Sequence, residues 1–550
     1  MAVASDDDLR PVAERGFLPN LKPLFDMVRQ FSPVLDRRDG APAPALAEPL
    51  LKSVVVPSAP GEASAAQLSA ATEDAAKAER AGLWGPTLTT CSATLGAGAL
   101  SLPFAMSHLG MGLGLLLLAL AALATHYSIT LLVSVMDATR LYSYEELTVR
   151  AFGRWVGVAT EVAIISICFG SAIAYSVAVA DILMPVLKLQ AVRTAAAALA
   201  IPAGLLSKQC VLIALWATVL LPLSLIERLS AFEASSLFGV CSLVYLVLSV
   251  CVHAADSCAR DPEHTYGELR AVKFTEHTPS TVAILVFAFT CQVNVPSIYQ
   301  DMQPRGGGNL ALQGALHGTT ARSMSRRAEA EIRRSGRRMY AVSRRACAIC
   351  FVCYALIGAA GYANFPHSRE PNILSNYDIS QRSNALMAPS FLAVALTVLA
   401  AYPLNIFPCR YTMDVILQRT RFSCWRAAAT TAPQPQLQRG AQGDASLMMA
   451  TSPPGLAAPM APRRRVLLTL LITGLSLVVA LYVPGINVVF QLMGGTASAF
   501  VCLVLPAALA LRQNVAEVRS TRGKLACLTL GGTGVAVSVL STVSTVAGLL

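Results

Sequence analysis

Residues 94–106 read TLGAGALSLPFAM and lie inside one of the most apolar stretches of the chain. A helix interior penalises glycine by about 1 kcal/mol and proline by about 3 kcal/mol, yet Gly96, Gly98 and Pro103 stand close together here. Small residues four apart can form a packing seam between membrane helices. Gly96 and Gly98 are only two apart, so they do not share a helical face. With Pro103 just beyond them, the spacing predicts a span that unwinds at mid-depth. Membranes tolerate such backbone only where it lines a cavity or is buried in protein.

The composition around this segment is that of a bilayer protein. The chain has 550 residues, 54% of them hydrophobic and 14% charged, against about 25% charged in soluble domains. Its mean hydropathy is +0.55. Apolar runs of about 20 residues can each cross a bilayer. They recur near 84–109, 110–136, 157–187, 210–226, 231–253, 280–300, 345–364, 386–408, 465–483, 487–511 and 525–548. The expected fold is an all-α polytopic membrane protein of about eleven transmembrane helices. Residues 84–300 hold helices one to six, 345–408 seven and eight, and 465–550 nine to eleven.

The intervening segments set the expected topology. Residues 1–83 lack a signal-peptide pattern and, rich in Ala, Pro, Ser and Glu after residue 40, read as a disordered tail. The segment 191–207, alanine-rich with Arg193 and Pro202, reads as a loop helix rather than a twelfth span. The stretch 301–344 carries Arg305, Arg322, Arg326, Arg327 and further arginines, and the low-complexity stretch 409–464 is also basic. The connection 254–279 has only Arg260, Arg270 and Lys273 against Asp256, Asp261, Glu263, Glu268 and Glu276. By the positive-inside rule, the first two are cytosolic loops, the N-terminus is cytosolic and the C-terminus faces the other side. The net charge of +11 is thus a topology signal; it has no aromatic-interleaved surface that would suit nucleic acid.

A second span is interrupted. In STVAILVFAFTCQVNVPSIYQ (280–300) an apolar run gives way to Gln292, Asn294 and Pro296. Amides at membrane depth are costly unless satisfied, so two beside a proline point to a cavity. These are the first and sixth spans, and broken helices in corresponding positions of two inverted five-helix halves mark a solute site. Freed backbone N–H groups suit a carboxylate and freed carbonyls an ammonium group. Neither broken region carries a charged side chain, which points to a neutral amino acid. The candidate binding residues are Thr94, Gly96, Ala97 and Gly98 from the first span, with Phe289, Thr290 and Asn294 from the sixth.

The chain resembles the amino acid/auxin permease family, within it the sodium-coupled neutral amino acid transporters and the vacuolar amino acid transporters. The matching pieces are TLGAGALSLPFAMSHLGMGLGLLLL, SYEELTVRAFGR, AVADILMPVL, LLPLSLIERLSAFEASSLF, FAFTCQVNVPSIYQDM and AAYPLNIFPCRYTMDVIL. The resemblance implies eleven spans, a five-plus-five inverted repeat with the first and sixth helices broken, and secondary active transport by alternating access. It also implies two sodium ligands that are weakened or lost in this chain: Ser92 stands where the sodium-coupled branch has Asn, and Ala401 where it has Thr. Alanine offers no oxygen to a hard cation, so proton coupling is expected, with sodium coupling as the alternative. Candidate coupling positions are Ser92, Glu161 and Asp181, with His126 a further ionisable residue within a span. The same branch has a disulfide between two outside loops, which here implies a pairing of Cys210 with Cys258.

Other patterns exclude rather than identify. Cys347, Cys350 and Cys353 fall in an apolar span with no His or carboxylate nearby and read as small core residues. No nucleophile elbow, zinc helix or P-loop pattern occurs, so neither an enzyme, a metal site nor a cofactor is expected. A membrane amino acid sensor signalling through its cytosolic loops remains the reading from a different class.

Overall fold

The structure is a computed structural model that describes residues 82–187, 194, 207–226, 233–260, 269–303, 321–367, 370–377, 387–429 and 462–548. Nearly all of the N-terminal tail, most of 191–207 and the low-complexity stretches 304–320 and 430–461 lie outside the described residues. Every regular element among the described residues is helical. The first span is a bent pair, Trp84–Thr94 and Ala97–Leu109. The second to sixth spans are Met111–Thr139, Arg154–Leu187, Lys208–Leu225, Leu237–Arg260 and Thr278–Asp301. The seventh to eleventh are Arg333–Asn364, Met387–Gln418, Pro462–Tyr482, Ile486–Gln513 and Thr521–Gly548. With the bent pair counted once, the described residues supply the eleven spans that hydropathy indicates.

The bundle turns a lipid face outward and a packed face inward. Leu116, Leu120 and Leu123 of the second span are exposed at helical spacing, as are Val535, Val539 and Val543 of the eleventh. The third span packs along the eighth, and the second along the seventh. At the Leu109 end, a strap at Arg270–Lys273 closes the turn between the first two spans. Met111 N–H donates to Arg270 O (2.9 Å), Gly112 N–H to Ala271 O (2.8 Å) and Lys273 N–H to Leu109 O (2.8 Å). Helix starts leave amides unpaired, and the strap satisfies them here. The approach is close enough that a Cβ on Gly110 (φ +81°) would lie 2.8 Å from Arg270 O.

Helical structure extends further than the apolar runs. The seventh helix begins at Ala321 and continues to Asn364, so half of the expected loop 301–344 is helical. Its lead-in, ARSMSRRAEAEIRR, consists largely of Ala, Arg, Glu and Met, all strong helix formers; charge placed it outside the bilayer but did not make it irregular. The eighth helix likewise runs on to Ala429. Wider π-type turns interrupt the fourth span at Trp216–Leu220 and the tenth at Gly494–Ser498 and Phe500–Val504. At Gly494 a Cβ would overlap the Ala283 carbonyl of the sixth span, so glycine allows this contact.

Candidate substrate site

The first span breaks where the glycines predict. Its first helix ends at Thr94, and Leu95 N–H still reaches Cys91 O (2.7 Å). Gly96 is extended (φ −118°, ψ −158°), and a tight 3₁₀ segment at Ala97–Ser101 leads into Leu102–Leu109. The two halves are bent by 49°. Pro103 sits in the first turn of the second half, where its missing N–H costs nothing. The sixth span repeats the plan. Its helix ends at Ala288, Phe289–Cys291 leave the helix, a 3₁₀ turn covers Gln292–Asn294, and Val295–Asp301 resumes with Pro296 in its first turn.

The two breaks meet. A Cβ on Gly98 would lie 3.0 Å from the Ala288 Cα, so the backbones are in direct contact. The Tyr354 hydroxyl, from the seventh span, lies 2.6 Å from Thr94 O and 2.9 Å from Ala288 O. These carbonyls belong to the last residues of the two interrupted helices, where the regular ladder ends; Thr94 O also accepts from Gly96 N–H (2.9 Å). The buried Tyr354 ring also packs edge-on against Phe289, with centroids 5.2 Å apart.

Beside the first break is a cavity of ≈ 70 Å³. One water needs about 10–15 Å³ of such space, so there is room for several waters or a small solute. Ser92, Leu95, Gly96, Ala97 and Leu100 form one wall. Tyr175 of the third span, Gly239, Ser242 and Leu243 of the fifth, and Val394, Thr397, Val398, Ala401 and Leu404 of the eighth complete it. No lining residue is ionisable except the Tyr175 phenol. Ser242 and Thr397 donate to carbonyls of their own helices (Phe238 O, 2.8 Å; Ala393 O, 2.9 Å), and their oxygens can still accept. A Cβ at Gly96 would lie 3.0 Å from the Tyr175 hydroxyl oxygen, so a larger residue there would crowd this wall.

Only part of the predicted residue set lines the cavity. Gly96 and Ala97 do; Thr94, Gly98, Phe289, Thr290 and Asn294 do not. Thr94 is buried and back-bonds to Thr90 O (2.8 Å), Gly98 packs on Ala288 and Phe289 on Tyr354. Thr290 donates to Val286 O (3.2 Å), and Asn294 is exposed. The sixth span thus supports the first from behind, while the third, fifth and eighth spans form the rest of the wall. The only advance signs of those walls were hydroxyl residues in apolar helices, such as Tyr175 in SAIAYSVAVA and Thr397 in AVALTVLAA.

Of the coupling candidates, Ser92 faces the cavity, as does Ala401. Glu161 is buried in the third span, and Asp181 pairs with Lys208 at 2.6 Å. His126 lies 3.0 Å from the Ser343 hydroxyl. Cys210 and Cys258 are unbridged in the structure.

Eleven spans, two broken helices in contact and an uncharged hollow at the first break define a multi-pass membrane protein with a cavity of small-solute size. Residues 79–312 and 329–550 match the family described as transmembrane amino acid transporter protein, and the chain belongs to that family. It is 25% identical over 354 residues to vacuolar amino acid transporter 5 of Schizosaccharomyces pombe, covering 62% of this chain and 71% of that one. Vacuolar amino acid transporter 6 of Saccharomyces cerevisiae is 23% identical, covering 76% of this chain and 87% of that protein. Solute carrier family 38 member 10 of Mus musculus is 21% identical, covering 77% of this chain but 33% of its own length. The family and these relatives are transporters, not enzymes.

Proposed function

We propose that the chain is a secondary active transporter of small neutral amino acids, coupled to protons and working by alternating access. The observation that carries this reading is the uncharged cavity opened by the unwound turn at Leu95–Ala97. Backbone polar groups there would hold the substrate's charged ends, while Leu95, Leu243 and Val398 would surround a short side chain. A charged side chain would find no counter-ion among the lining residues, and a bulky one little room.

Proton rather than sodium coupling is supported by Ser92 and Ala401. Both positions stand in the cavity wall, and the second presents a methyl group where a hard cation needs oxygen. In this reading spans one to five and six to ten are inverted repeats, the N-terminus is cytosolic, and the membrane is vacuolar, lysosomal or plasma. The two vacuolar relatives favour the first.

The deciding experiment is uptake of a labelled amino acid panel into proteoliposomes under separately imposed proton and sodium gradients. Alanine, serine or glutamine should accumulate under a pH gradient, and lysine and glutamate should not. One proton against 100 mV provides about 2.3 kcal/mol, enough for roughly fiftyfold accumulation. Accumulation driven by sodium alone would overturn the coupling assignment. Binding without flux would favour a sensor.

A further inference from the structure

A polar cluster away from the cavity bears on how the broken sixth span moves. The half-helix Val295–Asp301 is joined to Thr278–Ala288 only through off-helix residues and a 3₁₀ turn, so side-chain contacts hold it in place. Tyr299, near its end, is buried and donates its hydroxyl proton to Asp137 in the last turn of the second span. The seventh helix comes close at Gly336, where a Cβ would lie 2.6 Å from Asp137 Oδ2. One turn on, Tyr340 is hydrogen-bonded to Ser134 (2.8 Å) and lies 3.4 Å from Glu517 Oε1, beyond the tenth span. The charges acting on Asp137 are Arg140 on its own helix and Glu517 opposite. Tyr299 and Tyr340 are the phenols facing this group, with Tyr142 packed on Tyr299 (centroids 6.2 Å).

We propose that Asp137 is a proton-binding site whose occupancy controls the half-helix Val295–Asp301. While Asp137 is ionised it accepts a charge-assisted hydrogen bond from Tyr299, roughly twice as strong as a neutral one. A proton from the adjacent aqueous phase adds to the carboxylate and removes that charge. Tyr299 keeps its own phenolic proton throughout, so no other group changes state. The weakened contact frees the half-helix to swing at the Phe289–Cys291 break. This opens the bundle at its Trp84 end, which is the cytosolic end if the proposed topology holds. The inference deepens the proton coupling proposed above and rests on that reading for its role in transport. It does not rest on it for the latch itself, and it names a carboxylate outside the positions the sequence suggests.

Hydrogen–deuterium exchange on the purified full-length protein tests the latch without any substrate. From about pH 7.5 to about pH 3.5, below the ordinary aspartate value of about 3.9, amides of the half-helix should lose protection by up to about tenfold after correction for intrinsic rates. Asp137→Asn should show the less protected level at both pH values, and Tyr299→Phe should do the same if Asp137→Asn does not fold. Protection that ignores pH in the wild type, or follows pH unchanged in the variants, would overturn the proposal. In proteoliposomes, Asp137→Asn should also flatten the rise of labelled alanine uptake on acidification. A wild type that moves no amino acid would sink the transport reading, while the exchange data would still decide the latch.

Discussion

Replacing Gly98 with leucine is expected to cut amino acid uptake by at least about a hundredfold, equivalent to roughly 2.7 kcal/mol on the limiting barrier, while the protein still reaches the membrane. The reason is steric. Even one added carbon at Gly98 would sit 3.0 Å from the Ala288 Cα and 3.2 Å from its Cβ. The obstacle is backbone rather than a side-chain end that could rotate away, and overpacking of a tight site typically costs about 1–3 kcal/mol or more. A leucine would drive the first and sixth spans apart at the level where both are unwound. That spoils the cavity wall and the Tyr354 bridge together. Gly98→Ala should fall between wild type and Gly98→Leu. Gly532→Leu provides the control, because nothing lies within 4 Å of a Cβ there, and it should transport normally. The measurement is initial uptake normalised to reconstituted protein, with elution as a single species confirming a folded chain. Near-normal uptake by Gly98→Leu would mean that the contact between the breaks has no part in transport.

The contrast between what could and could not be read from the sequence follows from the range of the forces involved. A span is legible because hydropathy is local, and the first break is legible because Gly96, Gly98 and Pro103 each act on their own backbone. TCQVNVP marked the second break for the same reason. The cavity wall was not legible: Tyr175, Ser242 and Thr397 are ordinary residues of apolar helices until the third, fifth and eighth spans are brought beside Gly96. Phe289 reads as part of the wall because it adjoins a break, yet its ring packs against Tyr354. The lead-in at 321–332 shows a different limit. Its arginines report on which side of a membrane a segment rests, and side of the membrane is independent of secondary structure. At Gly494, in the first π-type turn of the tenth span, a glycine meets the Ala283 carbonyl of a distant helix, a pairing no local pattern announces.

Tyr354→Phe is expected to slow uptake by about ten- to a hundredfold with little change in apparent substrate affinity. The hydroxyl serves two buried carbonyls, Thr94 O and Ala288 O, that lie 260 and 66 residues away in sequence. Removing a donor from a buried acceptor costs about 1–3 kcal/mol, which corresponds to this range of rates if the loss falls on the moving step. Phenylalanine preserves the edge-on packing against Phe289, so the substitution removes the bridge without opening a large void. Tyr354 does not line the cavity, so substrate contacts at Gly96 and Ala97 should persist and KM should stay within about twofold. A purely structural role would instead lower thermal stability and the amount of active protein, leaving the turnover of the folded fraction unchanged. Uptake kinetics normalised to folded protein, alongside a melting curve, separate the two. If the maximal rate per folded molecule stays at the wild-type value, the broken helices do not depend on a shared hydroxyl to move as a pair, with Thr94 O kept by Gly96 N–H and Ala288 O served by another donor during the cycle.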